Sequence, residues 1–240
     1  MYNLSIIIPL YNEEKRLPKS LKILEKFCQK KLRKDIEIIF VSDGSSDRTN
    51  KIINLFINKN KRIFNSFLIK YSKNVGKGYA VKKGILNSKK DWILICDADM
   101  SVDPEQFNLW FKNKKIVDKN KAYFGSRRLR NSNVETSLVR KTLGLIFIIF
   151  IKFLLNINLK DSQCGFKVFH RNYALRVFKK VSSFRFAFDV ELIIILDKFK
   201  IKIIELPLKW THQSGSKLSI ASDIPIMIFD LIMIKFNNQK

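Results

Sequence analysis

Apolar, β-branched runs recur along the first hundred residues: LSIIIPL (4–10), IEIIFVS (36–42), FLIKY (67–71) and WILICD (92–97), with helix-like stretches between them. Near-continuous hydrophobic strands alternating with helices predict a parallel sheet covered by helices. Each run ends in polar or small residues, YNEE, DGSSDRT, KNVGKG and DADMS. Ligands of open α/β sheets bind at the carboxyl ends of the strands, so these four segments are expected to meet at one crevice. Beyond about residue 120 the alternation fades into AYFGSRRLRNSNVETSLVR, an apolar run, DSQCGFKVFHRNYA, FRFAFDVELIIIL and a last strand-like IKIIELPLKW. No internal repeat or Pro/Gly-rich linker marks a boundary. The pattern therefore predicts one α/β domain over 1–220, with halves 1–120 and 121–220, followed by an apolar helix in 221–240.

Two later segments are apolar on every side of a helix, LGLIFIIFIKFLLNINL (143–159) and IPIMIFDLIMIKF (224–236). Both fall short of the ~20 residues needed to span a bilayer. Each is compatible with a buried helix or with one lying in a membrane interface.

Charge alters the picture of partners. Lys and Arg outnumber Asp and Glu by 46 to 21, a net +25, which points to anionic partners such as nucleic acid, phosphorylated ligands or an acidic membrane face. The chain is also crowded with Lys, Asn and Ile, a bias that an AT-rich genome imposes anywhere, so part of the excess is solvated surface. Three scattered cysteines, Cys28, Cys96 and Cys164, suggest neither a disulfide framework nor a zinc site and fit a reducing compartment. The opening MYNLSIIIPLYNEE lacks the basic region of a signal peptide and reads as a first strand.

Candidate chemistry sits at the strand ends. Asp97 and Asp99 share the mouth of the fourth apolar run, where two like charges are costly without a cation. Mg²⁺ is commonly held by one or two carboxylates plus substrate phosphates, although any D-x-D can also be a capped turn. Asp43 stands at the end of the second run, where a carboxylate can accept hydrogen bonds from a nucleobase or ribose. Gly76, Lys77 and Gly78 form a plausible anion-facing helix start. Asp47 reads as a helix cap. Neither a P-loop nor a G-x-G-x-x-G fingerprint is present.

In order and spacing, SIIIPLYNEEKRLPKSL, VSDGSSDRT, KNVGKGYAVKKGI and DADM resemble the family 2 glycosyltransferases of the GT-A fold. FGSRR, DSQCGFKVF, FAFDVEL and WTHQSGSKL are similar to the dolichyl-phosphate β-glucosyltransferases and their bacterial polyprenyl-phosphate relatives. The resemblance runs from about residue 4 to 220. It implies a Rossmann-like mixed sheet flanked by helices, a nucleotide-sugar half (1–120) and an acceptor half (121–220) with the apolar helix 143–157. Pro9, Tyr11, Glu13 and Asp43 would then line the nucleotide pocket, and Asp97 and Asp99 would hold Mg²⁺ or Mn²⁺ at the donor diphosphate, Asp99 more directly. The chain departs from the family at Ser42, where an acidic residue is usual. It also shows neither the N-terminal membrane helix of eukaryotic relatives nor the C-terminal spans of many bacterial ones.

The activity implied is inverting transfer of a hexose, glucose from UDP-glucose, to a polyprenyl or dolichyl phosphate at the cytoplasmic face of a membrane. GDP-mannose is the alternative donor, and a non-catalytic scaffold or a nucleic-acid module are alternatives of a different class. Nothing in the chain matches a basic aromatic motif or a helix-turn-helix. Arg127 and Arg140 are the candidates to grip the acceptor phosphate, because Arg offers paired donors. Lys77, Lys167 and Lys217 would add positive charge around the phosphates. Asp189 and Glu191 are the acidic residues such enzymes place near the acceptor, Asp189 being the first choice for a base. His170 and His212 read as incidental polar residues.

Overall fold

The computed structural model describes residues 2–29, 35–135, 138–155, 157–213 and 220–238. Its elements run β1 (Leu4–Leu10), α1 (Leu17–Gln29), β2 (Ile36–Asp43), α2 (Thr49–Asn60), β3 (Asn65–Tyr71), α3 (Lys77–Leu86), β4 (Trp92–Ile95), α4 (Glu105–Lys112) and β5 (Lys121–Ser126). There follow β6 (Asn133–Glu135), α5 (Leu138–Leu155), β7 (Lys167–His170), α6 (Arg171–Lys180), α7 (Phe188–Lys198), β8 (Lys202–Pro207), β9 (Lys209–Thr211) and α8 (Ile220–Asn238).

Seven strands form one sheet in the order β3-β2-β1-β4-β7-β5-β8, and β6 pairs with β9 in a small second sheet. β1, β2, β3 and β4 are mutually parallel, as the alternating pattern predicts. The sheet is mixed because β7 enters antiparallel to both β4 and β5. Its four residues, KVFH, are too short and too close to the preceding loop to stand out as a separate run. Every residue of β1 and β2 is buried, whereas edge strand β3 leaves Asn65 and Lys70 exposed. Alternate side chains go to opposite faces. Ile6 and Ile8 pack with Leu21, Leu24 and Phe107 under α1 and α4, while Ile7 packs with Val81, Phe178 and Leu192 under α3, α6 and α7.

The last strand-like run, IKIIELPLKW, is broken into β8 and β9. Pro207 cannot donate to a ladder, and beyond it the chain leaves the main sheet to pair with β6. The two apolar helices are one-sided. In α5, Ile151 is buried while Leu145, Ile149 and Phe153 face outward. In α8, Met227, Leu231 and Ile234 are buried while Ile226, Phe229, Met233 and Phe236 are exposed. The two helices touch each other, and α8 also packs on α7. No helix among the described residues is long and apolar enough to cross a membrane.

Candidate functional site

The carboxyl ends of β1, β2 and β4 and the start of α3 surround a pocket of about 310 Å³, closed on one side by Arg185 and Phe186 ahead of α7. Pro9, Tyr11, Glu13, Asp43, Lys77, Asp97 and Asp99 all line it, so seven residues singled out from four separate strand ends share one site.

Asp43 spends its carboxylate on the chain itself. Oδ1 accepts from the Val75 N–H (2.7 Å), and Oδ2 from the Gly76 N–H (2.8 Å) and Asn74 Nδ2 (3.0 Å). Besides facing the pocket, it therefore holds the turn that opens α3. Gly76 stands in that turn at φ 127°, and a side chain there would run into the Phe184 carbonyl, so only glycine lets α3 and the approach to α7 come this close. Asp47 accepts from the Thr49 N–H (2.9 Å) at the start of α2, the capping role expected of it. His170 likewise caps α6, its Nδ1 accepting from the Asn172 N–H.

The two aspartates after β4 each carry a cation. Lys77 Nζ lies 2.6 Å from Asp97 Oδ1, and Arg16 NH1 lies 3.3 Å from Asp99 Oδ2, while Asp99 Oδ1 accepts from the Ser101 N–H (2.9 Å). Burial opposes the charge on Asp97, but Lys77, then Lys167 and Arg127, outweigh it and hold its carboxyl below the ordinary range. Burial likewise opposes the charge on Lys77, and Asp97 and Asp189 more than restore it, so that its pKa is raised. The Asp97 carboxylate rests over Gly165, where any side chain would overlap it. Glu13 is buried, and Arg16 Nε donates to its Oε2 at 2.6 Å while NH2 pairs with Oε1.

Behind the pocket the charges continue inward. Lys167 is 1% exposed and donates to Asp189 Oδ1 (2.7 Å) and to the Cys164 carbonyl (2.6 Å). Burial pushes the Asp189 carboxyl up against the pull of Lys167 and Lys77. Neither residue is among those lining the pocket; Lys167, expected to add positive charge around the phosphates, has its ammonium on Asp189 instead. It sits on β7, between β4 and β5. Glu191 is also internal, accepting from the Ser182 and Ser183 N–H groups (2.9 and 2.7 Å). Arg127 leaves the end of β5 and forks onto buried Asp161, with Nε to Oδ2 at 2.7 Å and NH2 to Oδ1 at 2.9 Å, its guanidinium 5.9 Å from the Trp210 ring. It too lies outside the lining of the pocket, yet close enough to bear on Asp97. The Arg140 side chain, near the start of α5, and Lys217 lie outside the described residues.

Sequence reasoning missed Arg16, Asn74, Arg185, Phe186, Asp161 and Gly165. Arg16 had a signal, its place three residues after Glu13 in YNEEKR; Asp161 and Gly165 stand inside the quoted DSQCGFK. Phe186 opens the segment FAFDVEL, whereas Arg185 had no signal, because only the packing of the approach to α7 against α3 brings it to the pocket.

Among the described residues no cluster of three or more Asp, Glu, His or Cys could hold a metal alone. Two neighbouring carboxylates do suit a hard divalent cation that draws its remaining ligands from a bound diphosphate.

A mixed sheet whose parallel strands β1–β4 end around one pocket, with paired aspartates after the fourth, is the arrangement of a GT-A glycosyltransferase. The chain belongs to glycosyl transferase family 2, whose model matches residues 5–178. It is 39% identical over 242 residues to a dolichyl-phosphate beta-glucosyltransferase of Dictyostelium discoideum, covering 97% of this chain and 74% of that protein. Its human counterpart is 35% identical, covering 90% of this chain and 69% of that protein. Among solved structures, glucosyl-3-phosphoglycerate synthase of Mycobacterium tuberculosis in complex with UDP superposes with a TM-score of 0.65 at 14% identity, over 98% of this chain and 79% of that one. A mannosyltransferase of Pyrobaculum calidifontis in complex with GDP-mannose and Mn²⁺ gives 0.64 at 16% identity, over 99% and 64%. Family membership makes the chain an enzyme, in place of the non-catalytic scaffold and of the nucleic-acid module that charge suggested.

Proposed function

We propose that this glycosyltransferase moves glucose from UDP-glucose to dolichyl or a related polyprenyl phosphate, with inversion, at the cytoplasmic face of a membrane. The observation that carries the donor half is the convergence of Tyr11 and Asp43 with Asp97 and Asp99 in one pocket at the strand ends. The acceptor and the sugar follow from the names of the relatives, which favour glucose over mannose.

Half-exposed Tyr11 offers a face for the base, and Asp97 and Asp99 are the residues that would hold Mg²⁺ or Mn²⁺. When bound, such a cation draws negative charge from the departing diphosphate. Lys77 and Arg16 supply further positive charge at the same place. An acceptor phosphate has a second pKa near ~6 by analogy with phosphorylated side chains, so near neutrality it is already a nucleophile and needs no strong base. One of its oxygens forms the bond to the anomeric carbon as the bond from that carbon to the donor diphosphate breaks, and the single displacement inverts the centre. Arg127, its fork set by Asp161, and Arg140 grip the acceptor phosphate. Asp189, buried against Lys167, serves chiefly to keep the Lys77 and Asp97 charges in place. The outward faces of α5 and α8, with Phe153 91% and Phe229 63% exposed, rest on the membrane that carries the lipid.

The test is transfer of radiolabelled sugar to dolichyl and undecaprenyl phosphate from UDP-glucose, UDP-GlcNAc and GDP-mannose, with and without EDTA. UDP-glucose should be the best donor and EDTA should abolish transfer. Preference for GDP-mannose, or product from Asp99→Ala at the wild-type rate, would overturn the reading.

A further inference from the structure

A divalent cation that reaches Asp99 meets an oxygen already in use. Asp99 Oδ1 is taken by the Ser101 N–H at 2.9 Å and Oδ2 by Arg16 NH1 at 3.3 Å. Arg16 is anchored elsewhere: Nε and NH2 fork onto the carboxylate of Glu13, a residue only 5% exposed whose backbone N–H donates to Thr49 Oγ1 at 2.7 Å. Of its ion pairs the one to Asp99 is the longest, so the NH1 end can leave Asp99 while the fork on Glu13 stays.

Charge count points the same way. Glu13, Asp43, Asp97 and Asp99 face Arg16, Lys77 and Arg185 around the pocket, a net of one negative charge. A divalent cation alone would turn that balance positive while Lys77 and Arg16 still crowd the aspartates. The diphosphate of a nucleotide sugar, doubly charged, would alone add to four carboxylates. The two together restore the original balance, and the diphosphate offers Arg16 NH1 a new partner as the cation takes Asp99.

We propose that Arg16 is an exchangeable counter-ion of Asp99 that makes the divalent cation and the nucleoside diphosphate bind as a coupled pair. This rests on the donor-site reading above and names its regulation: the protein holds metal poorly until the nucleotide arrives. Coupling of this kind is reciprocal and typically amounts to ~5–150-fold in affinity. The part played by Arg16 is separable from that of Lys77, which pairs with Asp97 rather than Asp99.

The experiment titrates Mn²⁺ into the full chain, following free Mn²⁺ by electron paramagnetic resonance with and without UDP, and titrates UDP by calorimetry with and without Mn²⁺, after correction for the Mn²⁺–UDP complex in solution. In the wild type, UDP should tighten Mn²⁺ binding about tenfold or more, and Mn²⁺ should tighten UDP binding by the same factor. Arg16→Gln should bind Mn²⁺ alone several-fold more tightly, bind UDP more weakly, and lose most of the coupling. The double variant Glu13→Gln/Arg16→Gln leaves no orphan carboxylate on Glu13 and should behave in the same direction, which keeps the test readable if the single variant folds poorly. Equal Mn²⁺ affinity with and without UDP in the wild type, or unchanged Mn²⁺ affinity and coupling in both variants, would refute the role of Arg16. No UDP binding by the wild type at saturating Mn²⁺ would instead bring down the donor reading, and the inference with it.

Discussion

Gly165 offers the cleanest separation of the site from the fold. It precedes β7 and is the floor on which the Asp97 carboxylate lies. A methyl group built there overlaps Oδ2 and Cγ and stands 2.5 Å from Oδ1, where ordinary contact begins at 3.4 Å, so the carboxylate must withdraw by more than about 1 Å. The backbone of Gly165 is not in the left-handed region, so alanine brings no conformational strain of its own. A misplacement near 1 Å at a reacting centre can cost on the order of 10²-fold in rate, which is about 2.7 kcal/mol at 1.36 kcal/mol per tenfold. Against that, crowding costs typically ~1–3 kcal/mol, and the stiffer unfolded chain returns ~0.4–1 kcal/mol. The half-open pocket lets Asp97 swing aside, so the net stability change should stay under about 2 kcal/mol, or some 8 °C in Tm at this chain length. Gly165→Ala should therefore lower kcat/KM for glucose transfer by about 100-fold with a small change in Tm. Gly84→Ala is the contrast: its methyl overlaps Ile7 and touches Val41 in the core, away from the pocket, and should reduce stability with little change in kcat. If Gly165→Ala retained activity within about threefold, below the ~10²-fold scale expected of such a displacement, the placement of Asp97 would not limit the reaction and the reasoning would fail.

Removing one partner of the buried Lys167–Asp189 pair by Asp189→Asn should cost about 3 kcal/mol or more, read as a lowered midpoint in urea, and Lys167→Met/Asp189→Leu should recover much of the loss; a neutral single variant would contradict the pair's isolation from water. Asp161→Asn should loosen the Arg127 fork, raising KM for the lipid phosphate while UDP affinity by calorimetry stays constant; equal loss of both would put Arg127 at the donor. Burial raises the Asp161 carboxyl but Arg127 outweighs it, so the folded pKa is lowered. Its stabilisation is thus complete above the unfolded value of about 3.9 and lost as the pH falls below it. Asp161→Asn should flatten that acid limb in pH-dependent denaturation. Phe153→Glu combined with Phe229→Glu alters two side chains that are largely exposed; it should abolish flotation with anionic vesicles while leaving Tm nearly unchanged, and undiminished flotation would remove α5 and α8 from the membrane contact.

Much of this was legible in the chain. The runs that became β1, β2, β3 and β4 announced themselves because strands buried on both faces are apolar throughout, a property of the segment alone. Their polar ends pointed to one crevice, and Pro9, Tyr11, Glu13, Asp43, Lys77, Asp97 and Asp99 do line one pocket. Apolar helices over both late segments were equally local matters of period and length. The order of motifs carried the family.

What the tertiary structure decided was pairing. Whether a Lys is solvated, as charge patterning suggests, or buried on Asp189, as Lys167 is, depends on which strand slots beside β4; β7 does so antiparallel, from over seventy residues downstream. Arg127 has its fork set by Asp161, thirty-four residues away, and Arg16 reaches Asp99 across eighty-three. The identity of a charged residue limits what it can bind, but its partner is chosen by the fold, because an ion pair acts over a few ångströms and the sequence records distance only along the chain.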